Sequence, residues 1–432
     1  MDSYVCGTGD EPLRYQTVGA ALTEAAARWP DLEALVAREQ GQSFTYAVLD
    51  ERVTRVAAAF LALGLAPGDR IGIWSVNCAE WVLTQLAAAR AGLVLVTVNP
   101  AYRRAELEHA LHKTACRALV FGEGLREVRY AQMLAQLMPE VDESTSDAEL
   151  RSQAFPALER LIAIAPSRPF SAATRFDDLE ALVSPAALEQ VAALAPTLRP
   201  DDAINIQFTS GTTGLPKGAT LTHFNILNNG YFVAAAQRLE VGDRLCIPVP
   251  LYHCFGMVMG VLGCLTHGVT MVFPGGIFDP QAVLEAVAEE RCTALYGVPT
   301  MFIAELDHPQ FEDYDLSALR TGIMAGAPCP IEVMRRVIAS MHLAQITIAY
   351  GMTETSPVSF QTAVDDPIEQ RVATVGRIHP HVQVKVVDAA GQVVPRGESG
   401  ELCTRGYSVM QGYWDDEART REAIDGAGWM RT

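Results

Sequence analysis

The sequence predicts an α/β fold in which helices cover two mostly parallel β-sheets, followed by a small antiparallel, barrel-like unit. Apolar patterns of helical period alternate with short β-branched runs along most of the 432 residues. Such alternation is typical of parallel sheets with helices on both faces. From about Val372 onward the helical patterns stop and the apolar residues follow strand period. A hydrophobic fraction of 49% against 19% charged residues supplies a large core and argues against disorder.

Three helices and six strands are predicted in the part of the chain where helical and strand patterns alternate. The first helix begins after Thr17, a good N-cap residue, and ends at Pro30. Two more cover residues 46–65 and 79–91, where apolar side chains recur at helical spacing. Short β-branched or apolar runs predict the strands 70–74, 93–98, 203–208, 269–273, 293–296 and 345–349.

The C-terminal part predicts a separate unit. Residues 382–387 alternate in strand period, a turn follows at residues 388–391, and a second run covers residues 400–404. A chain of 432 residues exceeds the size of an ordinary single domain. We therefore predict residues 1–355 as two α/β subdomains that carry the ligand sites, and residues 356–432 as a small β-barrel subdomain.

Charge and cysteine content limit the classes of function. Lys and Arg total 33 against 51 Asp and Glu, a net charge of −18, and such a surface repels nucleic acid and anionic lipid. The nine cysteines include no C-x-x-C pair, which indicates a reducing compartment. No signal-peptide pattern begins the chain, and the longest apolar stretch, residues 255–265, is too short for a membrane span. These features predict a cytoplasmic protein with small-molecule ligands and leave a homodimer open.

Residues 208–223, which follow a predicted strand, carry the strongest chemical signal. They read FTSGTTGLPKGATLTH, with four hydroxyl side chains and three glycines close together. Small residues let backbone N–H groups surround an anion, hydroxyls add donors, and Lys217 adds a positive charge. The segment therefore predicts a polyphosphate site, although the order Pro216-Lys217-Gly218 differs from the Walker A motif. The alternative, a flexible Thr/Gly linker, does not account for the preceding strand or the internal Pro-Lys-Gly.

Further motifs follow in order along the chain: YHCFG at 252–256, GAP at 326–328, YGMTET at 350–355, SGEL at 399–402, and the segment 406–414. Together with residues 209–218 they resemble the signature of the AMP-forming adenylating enzymes, which include acyl-CoA synthetases, luciferases and peptide-synthetase adenylation domains. The resemblance extends from about Thr17 to the end of the chain. It implies the fold of the large N-terminal domain of an acyl-CoA synthetase.

The resemblance implies a nucleotide site for ATP. Lys217 would support the phosphate loop, Tyr350 would stack on adenine, and Thr353 would bond the α-phosphate. The ATP-binding residues implied are Thr209, Ser210, Gly211, Thr212, Thr213, Gly214, Lys217, Gly326, Ala327, Pro328, Tyr350, Gly351, Met352 and Thr353.

Glu354 is the only carboxylate in its motif and is the implied Mg²⁺ ligand. A hard cation that keeps several waters and takes one carboxylate plus phosphate oxygens suits such a sparse site. The alternative interpretation is an exposed acid at a junction between a strand and a loop. The preceding phosphate-loop motif favours the metal ligand.

The acid to be activated is predicted to be a fatty acid of medium length. The resemblance places a residue that contacts the carboxylate at His253, and an apolar run follows it; a purely structural histidine is the alternative. Residues 250–256 contain no acid to pair with an ammonium group, which disfavours amino acids. Aryl and very short acids stay open. The predicted acyl-binding residues are His253, Phe255, Met257, Met259, Met324 and Ala325.

The implied function is an AMP-forming acyl-CoA synthetase that uses ATP, Mg²⁺ and CoA, with Lys217, His253, Thr353 and Glu354 as catalytic residues. In the family, the stretch that ends here at Thr432 continues into a hinge and a C-terminal catalytic domain. The expectation is therefore that these residues bind nucleotide and acid but are inactive alone. Three alternatives are an aryl or short-chain ligase, a kinase or NTPase that releases ADP, and a non-catalytic nucleotide-binding remnant.

Overall fold

The computed structural model describes residues 1–143, 150–209 and 215–432. Within them the chain forms two large sheets, one small sheet and a short hairpin made by Gly124–Leu125 and Val128–Arg129. Ser210, Gly211, Thr212, Thr213 and Gly214, which were predicted to bind ATP, lie outside the described residues.

The first sheet has eight strands. Its first six are joined by parallel pairings, and the last two pairings are antiparallel. In spatial order the strands are Ala173–Arg175, Arg160–Ala163, Ala118–Phe121, Arg70–Trp74, Val94–Thr97, Ala203–Thr209, Lys217–Thr222 and Gly412–Tyr413.

The second sheet has nine strands. Its six central strands are parallel, and antiparallel strands lie at both edges. In spatial order they are Arg377–Ile378, Val358–Gln361, Gln345–Gly351, Thr321–Ala325, Ala294–Gly297, Arg244–Cys246, Thr270–Phe273, Glu33–Ala37 and Gln42–Thr45.

The small sheet is open and fully antiparallel. Its strands are Tyr4–Cys6, Val382–Val387, Glu401–Gly406 and Met430–Arg431. One edge strand thus comes from the N-terminus, which the sequence pattern did not indicate. Other strands from residues 356–432 join the two large sheets, so this segment contributes to all three sheets. The division into residues 1–355 and 356–432 stays a prediction about folding units.

Helices cover the sheets and lie between them. Thr17 and Thr45 cap the first two helices by accepting hydrogen bonds from Ala20 N at 3.2 Å and Val48 N at 3.3 Å. The α-helices are Val18–Arg28, Tyr46–Ala62, Ala79–Arg90, Arg104–Thr114, Tyr130–Leu137, Glu140–Glu143, Pro185–Leu194, His223–Ala236, Gly263–His267, Pro280–Glu289, Pro299–Leu306, Ile331–Ser340, Ile368–Ala373 and Glu417–Ala423. Shorter turns are the 3₁₀ segments Phe176–Leu182, Ala195–Thr197, Phe311–Asp313 and Thr353–Thr355 and the π-helical Phe255–Leu262.

The two large sheets share one core. Side chains of the first sheet such as Ile73 and Leu95 pack in one apolar cluster with Tyr296 and Ile323 of the second. The helix Ala79–Arg90 lies in this core with every residue buried. Mostly parallel sheets covered by helices confirm the predicted fold class, because only burial on both faces accounts for such continuous apolar strands.

The predicted core helix at residues 255–265 begins as a π-helical segment, Phe255–Leu262, and continues as the α-helix Gly263–His267. Within the three described stretches of the chain, none of the helices has the length and apolar character that a membrane crossing requires.

Glu305 is a buried acid with unusual surroundings. It lies in the helix Pro299–Leu306 and is 1% exposed, and neither of its carboxyl oxygens has a hydrogen-bond partner among the described residues. Burial disfavours the charged form and raises the pKa of Glu305 to about 8. The folded state therefore holds this proton more tightly than the unfolded state does.

We expect Glu305→Gln to raise the free energy of unfolding at pH 8 by about 2 kcal/mol, because an amide has no charge to desolvate. In the parent protein, the stability linked to the Glu305 proton is complete below the ordinary pKa of 4.5 and is lost as the pH rises toward 8. Urea unfolding at pH 5 and pH 8 measures this difference. Glu312→Gln, at an exposed position, is the control. Equal pH profiles for parent and Glu305→Gln would contradict the assignment.

Candidate active site

A large cavity lies where the carboxyl ends of strands from both sheets meet. Its volume is about 1060 Å³. Ligand sites in parallel α/β sheets form at this edge, because the loops that follow the strands converge there. The strands Ala203–Thr209 and Gln345–Gly351 both end beside it. Its lining includes Asn99, Tyr102, Phe208, Thr209, Lys217, Tyr252, His253, Met352, Thr353, Glu354 and Tyr413.

A chain of hydrogen bonds connects three distant motifs at this cavity. The Thr209 hydroxyl donates to Glu354 Oε1 at 3.2 Å, and the Tyr413 hydroxyl donates to the same oxygen at 2.9 Å. Lys217 Nζ donates to the Tyr413 hydroxyl oxygen at 2.9 Å. The structure thus brings the predicted residues Thr209, Lys217 and Glu354 together, and it adds Tyr413 between them.

Backbone pairing holds these side chains in place. Thr209 and Lys217 are directly opposite each other in the antiparallel pair formed by Ala203–Thr209 and Lys217–Thr222. Tyr413 pairs with Ala219 on the other side of the second of these strands. Glu354 lies in the 3₁₀ turn Thr353–Thr355, and its backbone oxygen accepts a hydrogen bond from Met410 N at 2.9 Å. Rigid elements therefore set the distances within the site.

The charges of the site are arranged around Tyr413. Burial, together with the nearby Glu354 carboxylate that accepts its hydrogen bond, raises the pKa of the Tyr413 hydroxyl above its usual range. It therefore stays protonated and acts as a donor. The Lys217 ammonium also lies 4.3 Å from the centroid of the Tyr413 ring, within the range of a cation–π contact.

Glu354 fits a sparse metal site. It is 4% exposed, Oε1 accepts two hydrogen bonds, and Oε2 has no hydrogen-bond partner in the described part of the chain. No group of three or more His, Cys, Asp or Glu side chains is placed to hold a metal within residues 1–143, 150–209 and 215–432. One free carboxylate oxygen beside a cavity suits a cation, such as Mg²⁺, that takes its other ligands from waters and phosphates.

His253 extends into the cavity from the turn before Phe255–Leu262. Its Nδ1 accepts a hydrogen bond from Phe255 N at 3.1 Å, so the neutral ring carries its proton on Nε2. The side chain is exposed at the cavity, and the neighbouring protein atoms still desolvate the ring in part. This desolvation holds the pKa of His253 below its usual range. The result is a neutral imidazole whose Nε2–H has no hydrogen-bond partner among residues 1–143, 150–209 and 215–432.

The predicted adenine residues lie at neighbouring strand ends of the second sheet. Tyr350 and Gly351 end the strand Gln345–Gly351, which pairs in parallel with Thr321–Ala325. Gly326, Ala327 and Pro328, all exposed, follow the latter strand directly. Gly326 has φ +85°, which favours glycine, and a Cβ at Gly351 would lie 1.8 Å from Pro357 O. Tyr350 is 40% exposed, so part of the residue is accessible.

The predicted acyl-binding residues are divided by the fold. Phe255, Met257 and Met259 are buried in the core between the sheets and do not line the described cavity. Ala325 packs in the same core. Met324 belongs to a different cluster, on the outer face of the second sheet with Met334 and Val337. Successive strand residues point to opposite faces, so Met324 faces away from the cluster that holds Phe255, Met257 and Met259, and its assignment to the acyl channel stays a prediction.

Sequence reasoning missed Tyr413 and the buried pair Cys254 and Gln207. Cys254 Sγ donates to Gln207 Oε1 at 2.9 Å, and Gln207 Nε2 donates to Met257 Sδ at 2.9 Å. Burial raises the pKa of the Cys254 thiol to about 12, so it stays neutral. The signal for Tyr413 was present in the motif at 406–414, but its proximity to Lys217 depends on strand pairing across the chain.

Comparisons with known proteins agree with this geometry. A model of the AMP-binding enzyme family matches residues 22–414. The chain is 45% identical over 421 residues to YngI of Bacillus subtilis (strain 168), covering 97% of this chain and 76% of that protein. It is 45% identical over 433 residues to the mitochondrial medium-chain acyl-CoA ligase ACSF2 of Danio rerio, covering 100% of this chain and 71% of that protein.

Solved structures share the fold. The N-terminal domain of FACL13 from Mycobacterium tuberculosis matches with a TM-score of 0.80 and 25% identity, and the match covers 96% of both chains. The anthranilate CoA ligase AuaEII matches with a TM-score of 0.81 over 98% of this chain and 76% of that one, and at 22% identity this likeness shows the fold alone. The family model covers most of the 432 residues. The chain therefore belongs to the AMP-binding enzyme family.

Proposed function

We propose that the protein is an AMP-forming acyl-CoA synthetase that activates a fatty acid of medium length. In the first step, a carboxylate oxygen of the acid attacks the α-phosphorus of ATP, and pyrophosphate leaves. In the second step, the sulfur of CoA attacks the acyl carbonyl carbon of the adenylate, and AMP leaves. The binding surfaces for both steps come from three places. They are the ends of the phosphate loop at Thr209 and Lys217, the side chain of His253, and the strand ends at Gly326 and Tyr350.

The observation that carries this proposal is the hydrogen-bonded chain Lys217, Tyr413, Glu354 and Thr209 on one cavity wall. It places an ammonium group and a buried carboxylate beside the two ends of the predicted phosphate loop. Lys217 offers positive charge to a triphosphate, and Glu354 Oε2, which has no hydrogen-bond partner among the described residues, is the atom proposed to hold a cation. Mg²⁺, when bound, neutralises phosphate charge and so favours attack by a second anion.

His253 is proposed to orient the acid. His253 lines the same cavity as Thr353 and Glu354, and its Nε2–H is the donor that we assign to the acid. A neutral donor can hold one carboxylate oxygen while the other attacks, and the lowered pKa of His253 keeps the ring neutral near pH 7. The predicted ATP contacts of Tyr350, Gly326 and Thr353 belong to the same proposal.

The medium-chain substrate is supported by the ACSF2 relatives, whose printed name is medium-chain acyl-CoA ligase. A second candidate, an aryl or short-chain acid ligase, is favoured by one observation. Phe255, Met257 and Met259 are packed in the core, and the described cavity does not extend between them. A purely nucleotide-binding role is disfavoured, because Lys217, Thr353 and Glu354 are all present at the cavity.

The test is an assay of the whole protein that carries this chain, with ATP, Mg²⁺, CoA and a panel of acetate, octanoate, palmitate and benzoate. We expect AMP and an acyl-CoA thioester as products, with octanoate giving the highest kcat/KM. Preference for acetate or benzoate would favour the second candidate. Formation of ADP in place of AMP would overturn the proposed reaction.

Met259→Trp is expected to shorten the longest acid that the protein accepts, because the larger side chain overfills the core around the segment Phe255–Leu262, which follows His253. Activity with palmitate should fall at least tenfold more than activity with acetate. Met324→Trp is the matched control, since Met324 is equally buried but faces the outer helices. This control should lower Tm without changing the chain-length profile. An unchanged profile for Met259→Trp would place the acyl channel along other residues.

Cell location and assembly are also proposals. We propose a cytoplasmic protein from the composition, although the ACSF2 relatives are mitochondrial by name. Fractionation of the source cells tests the location. The homodimer that the sequence left open is tested by light scattering of the purified protein, for which a single monomer mass would exclude it.

A further inference from the structure

We propose that Tyr413 is a positioning residue that holds Lys217 and Glu354 for the metal–triphosphate end of ATP. Its hydroxyl therefore sets the affinity for Mg²⁺·ATP and leaves the affinity for AMP unchanged. This inference rests on the proposed function, because it assigns Lys217 and Glu354 to the triphosphate and its cation.

The directions of the two hydrogen bonds follow from chemistry. An ammonium group can only donate, and an ionised carboxylate can only accept. The Tyr413 hydroxyl therefore accepts from Lys217 Nζ at 2.9 Å and donates to Glu354 Oε1 at 2.9 Å. One hydroxyl group thus separates a cation from an anion by fixed distances. Without it, the two charges are free to approach each other and form an ion pair that competes with the ligand.

The hydroxyl also selects which carboxylate oxygen is available. Glu354 Oε1 accepts from both Tyr413 and Thr209, whereas Oε2 has no partner in the described ranges. Two hydrogen bonds to one oxygen fix the rotation of the carboxylate about its last torsion angle. Oε2 is therefore kept free for the cation. A phenyl ring at position 413 would leave only the Thr209 bond and allow the carboxylate to rotate.

Tyr413 is itself held firmly. Tyr413 N donates to the Thr420 hydroxyl at 2.8 Å, and the next residue, Trp414, donates its N–H to Gly218 O at 2.7 Å. The strand Gly412–Tyr413 pairs with Lys217–Thr222, which carries Lys217. The ring and the lysine thus sit on adjacent strands of one sheet. Removing the hydroxyl alone leaves all of these backbone contacts in place.

The nucleotide provides the discriminating readout. AMP has neither a β- nor a γ-phosphate, so it does not need the Lys217 charge or a cation on Glu354. ATP needs both. A structural role for Tyr413 would change the affinities for ATP and AMP together, whereas a positioning role changes only the affinity for Mg²⁺·ATP.

The experiment compares Tyr413→Phe with the parent in the 432-residue chain. Calorimetry measures binding of Mg²⁺·ATP and of AMP, and paramagnetic resonance measures Mn²⁺ binding in the presence of ATP. We expect Mg²⁺·ATP and Mn²⁺ to bind about tenfold or more weakly, since hydrogen bonds to charged groups are lost. AMP affinity should stay within about twofold, because the deleted hydroxyl does not face the nucleoside.

Tyr46→Phe is the control. The Tyr46 hydroxyl is buried in the core and donates to Val269 O at 2.9 Å, and Tyr46 does not line the cavity. This variant should lower Tm and leave both affinities unchanged. A second check is the double variant of Tyr413→Phe with Lys217→Met. It should bind Mg²⁺·ATP more weakly than Lys217→Met alone, but by less than the product of the two single fold-losses, because the hydroxyl acts partly through the lysine and partly through Glu354.

Each result decides between distinct readings. Equal losses for ATP and AMP, or no loss for either, would overturn the positioning role of Tyr413. Additive losses in the double variant would show that the hydroxyl acts independently of Lys217 and would also overturn it. If the parent chain binds neither nucleotide, the proposed function fails as well. If the parent binds both nucleotides but Tyr413→Phe does not show a selective loss of Mg²⁺·ATP affinity, the proposed function stands and this inference fails.

Discussion

Glu354→Gln is expected to lower adenylate formation by about a hundredfold or more while leaving the fold intact. The amide keeps the size of the side chain, and it can still accept hydrogen bonds from Thr209 and Tyr413 on its oxygen. It removes the negative charge that would hold Mg²⁺, and metal ions contribute several kcal/mol to such transition states. Acid-dependent ATP–pyrophosphate exchange by the whole protein measures the loss, and circular dichroism checks the fold.

Glu401→Gln is the matched control for this prediction. Glu401 lines the same cavity but forms an ion pair with Arg431 at 3.6 Å and has no contact with Thr209 or Tyr413. Loss of the Glu401 charge should change the exchange rate less than about twofold, because exposed ion pairs contribute little free energy. Near-normal exchange by Glu354→Gln at ordinary Mg²⁺ would mean that another group holds the metal.

Lys217→Met should lower kcat/KM for ATP by about a hundredfold, close to the cost of removing one preorganised donor from an active site. Methionine preserves much of the aliphatic length but has no charge and no donor. The variant also leaves the Tyr413 hydroxyl without its donor partner. Steady-state kinetics with varied ATP measures the effect, and binding of AMP to the same variant should be unchanged.

Lys113→Met is the control for the lysine. Lys113 Nζ donates to Asp415 O at 2.8 Å, and Lys113 does not line the main cavity, although it lines a smaller neighbouring pocket together with Lys217. Substitution there removes an equal charge from the neighbourhood without touching the proposed triphosphate site. If Lys113→Met and Lys217→Met lowered kcat/KM to the same extent, a general change in surface charge would explain both.

Much of the fold was predictable because its signals are local. The helix start at Thr17 follows from capping by a hydroxyl side chain, and the predicted strands agree with the structure to within about two residues at most boundaries. The edge strand Tyr4–Cys6 was not predictable. It is short and pairs with Val382–Val387 almost at the other end of the chain, and no local pattern encodes such a partner.

The acyl-binding predictions show where residue type alone was insufficient. Met324 and Ala325 are both apolar and consecutive, and both faces of a parallel strand are buried. Apolar character therefore indicates that a strand residue is buried, but it does not indicate whether the residue packs between the sheets or against the outer helices. Ala325 packs between the sheets, and Met324 packs against the outer helices.

By itself, the sequence determined the α/β class and predicted a polyphosphate site at residues 209–217 and a metal ligand at Glu354, because strand period, small residues and a single acid are properties of short segments. Only the tertiary structure decided that Tyr413 lies between Lys217 and Glu354. These contacts join positions 196 and 59 residues apart. They exist because Gly412–Tyr413 pairs with Lys217–Thr222 while Met410 bonds the turn at Glu354. Pairing between distant strands depends on the packing of the whole chain, so no short segment specifies it.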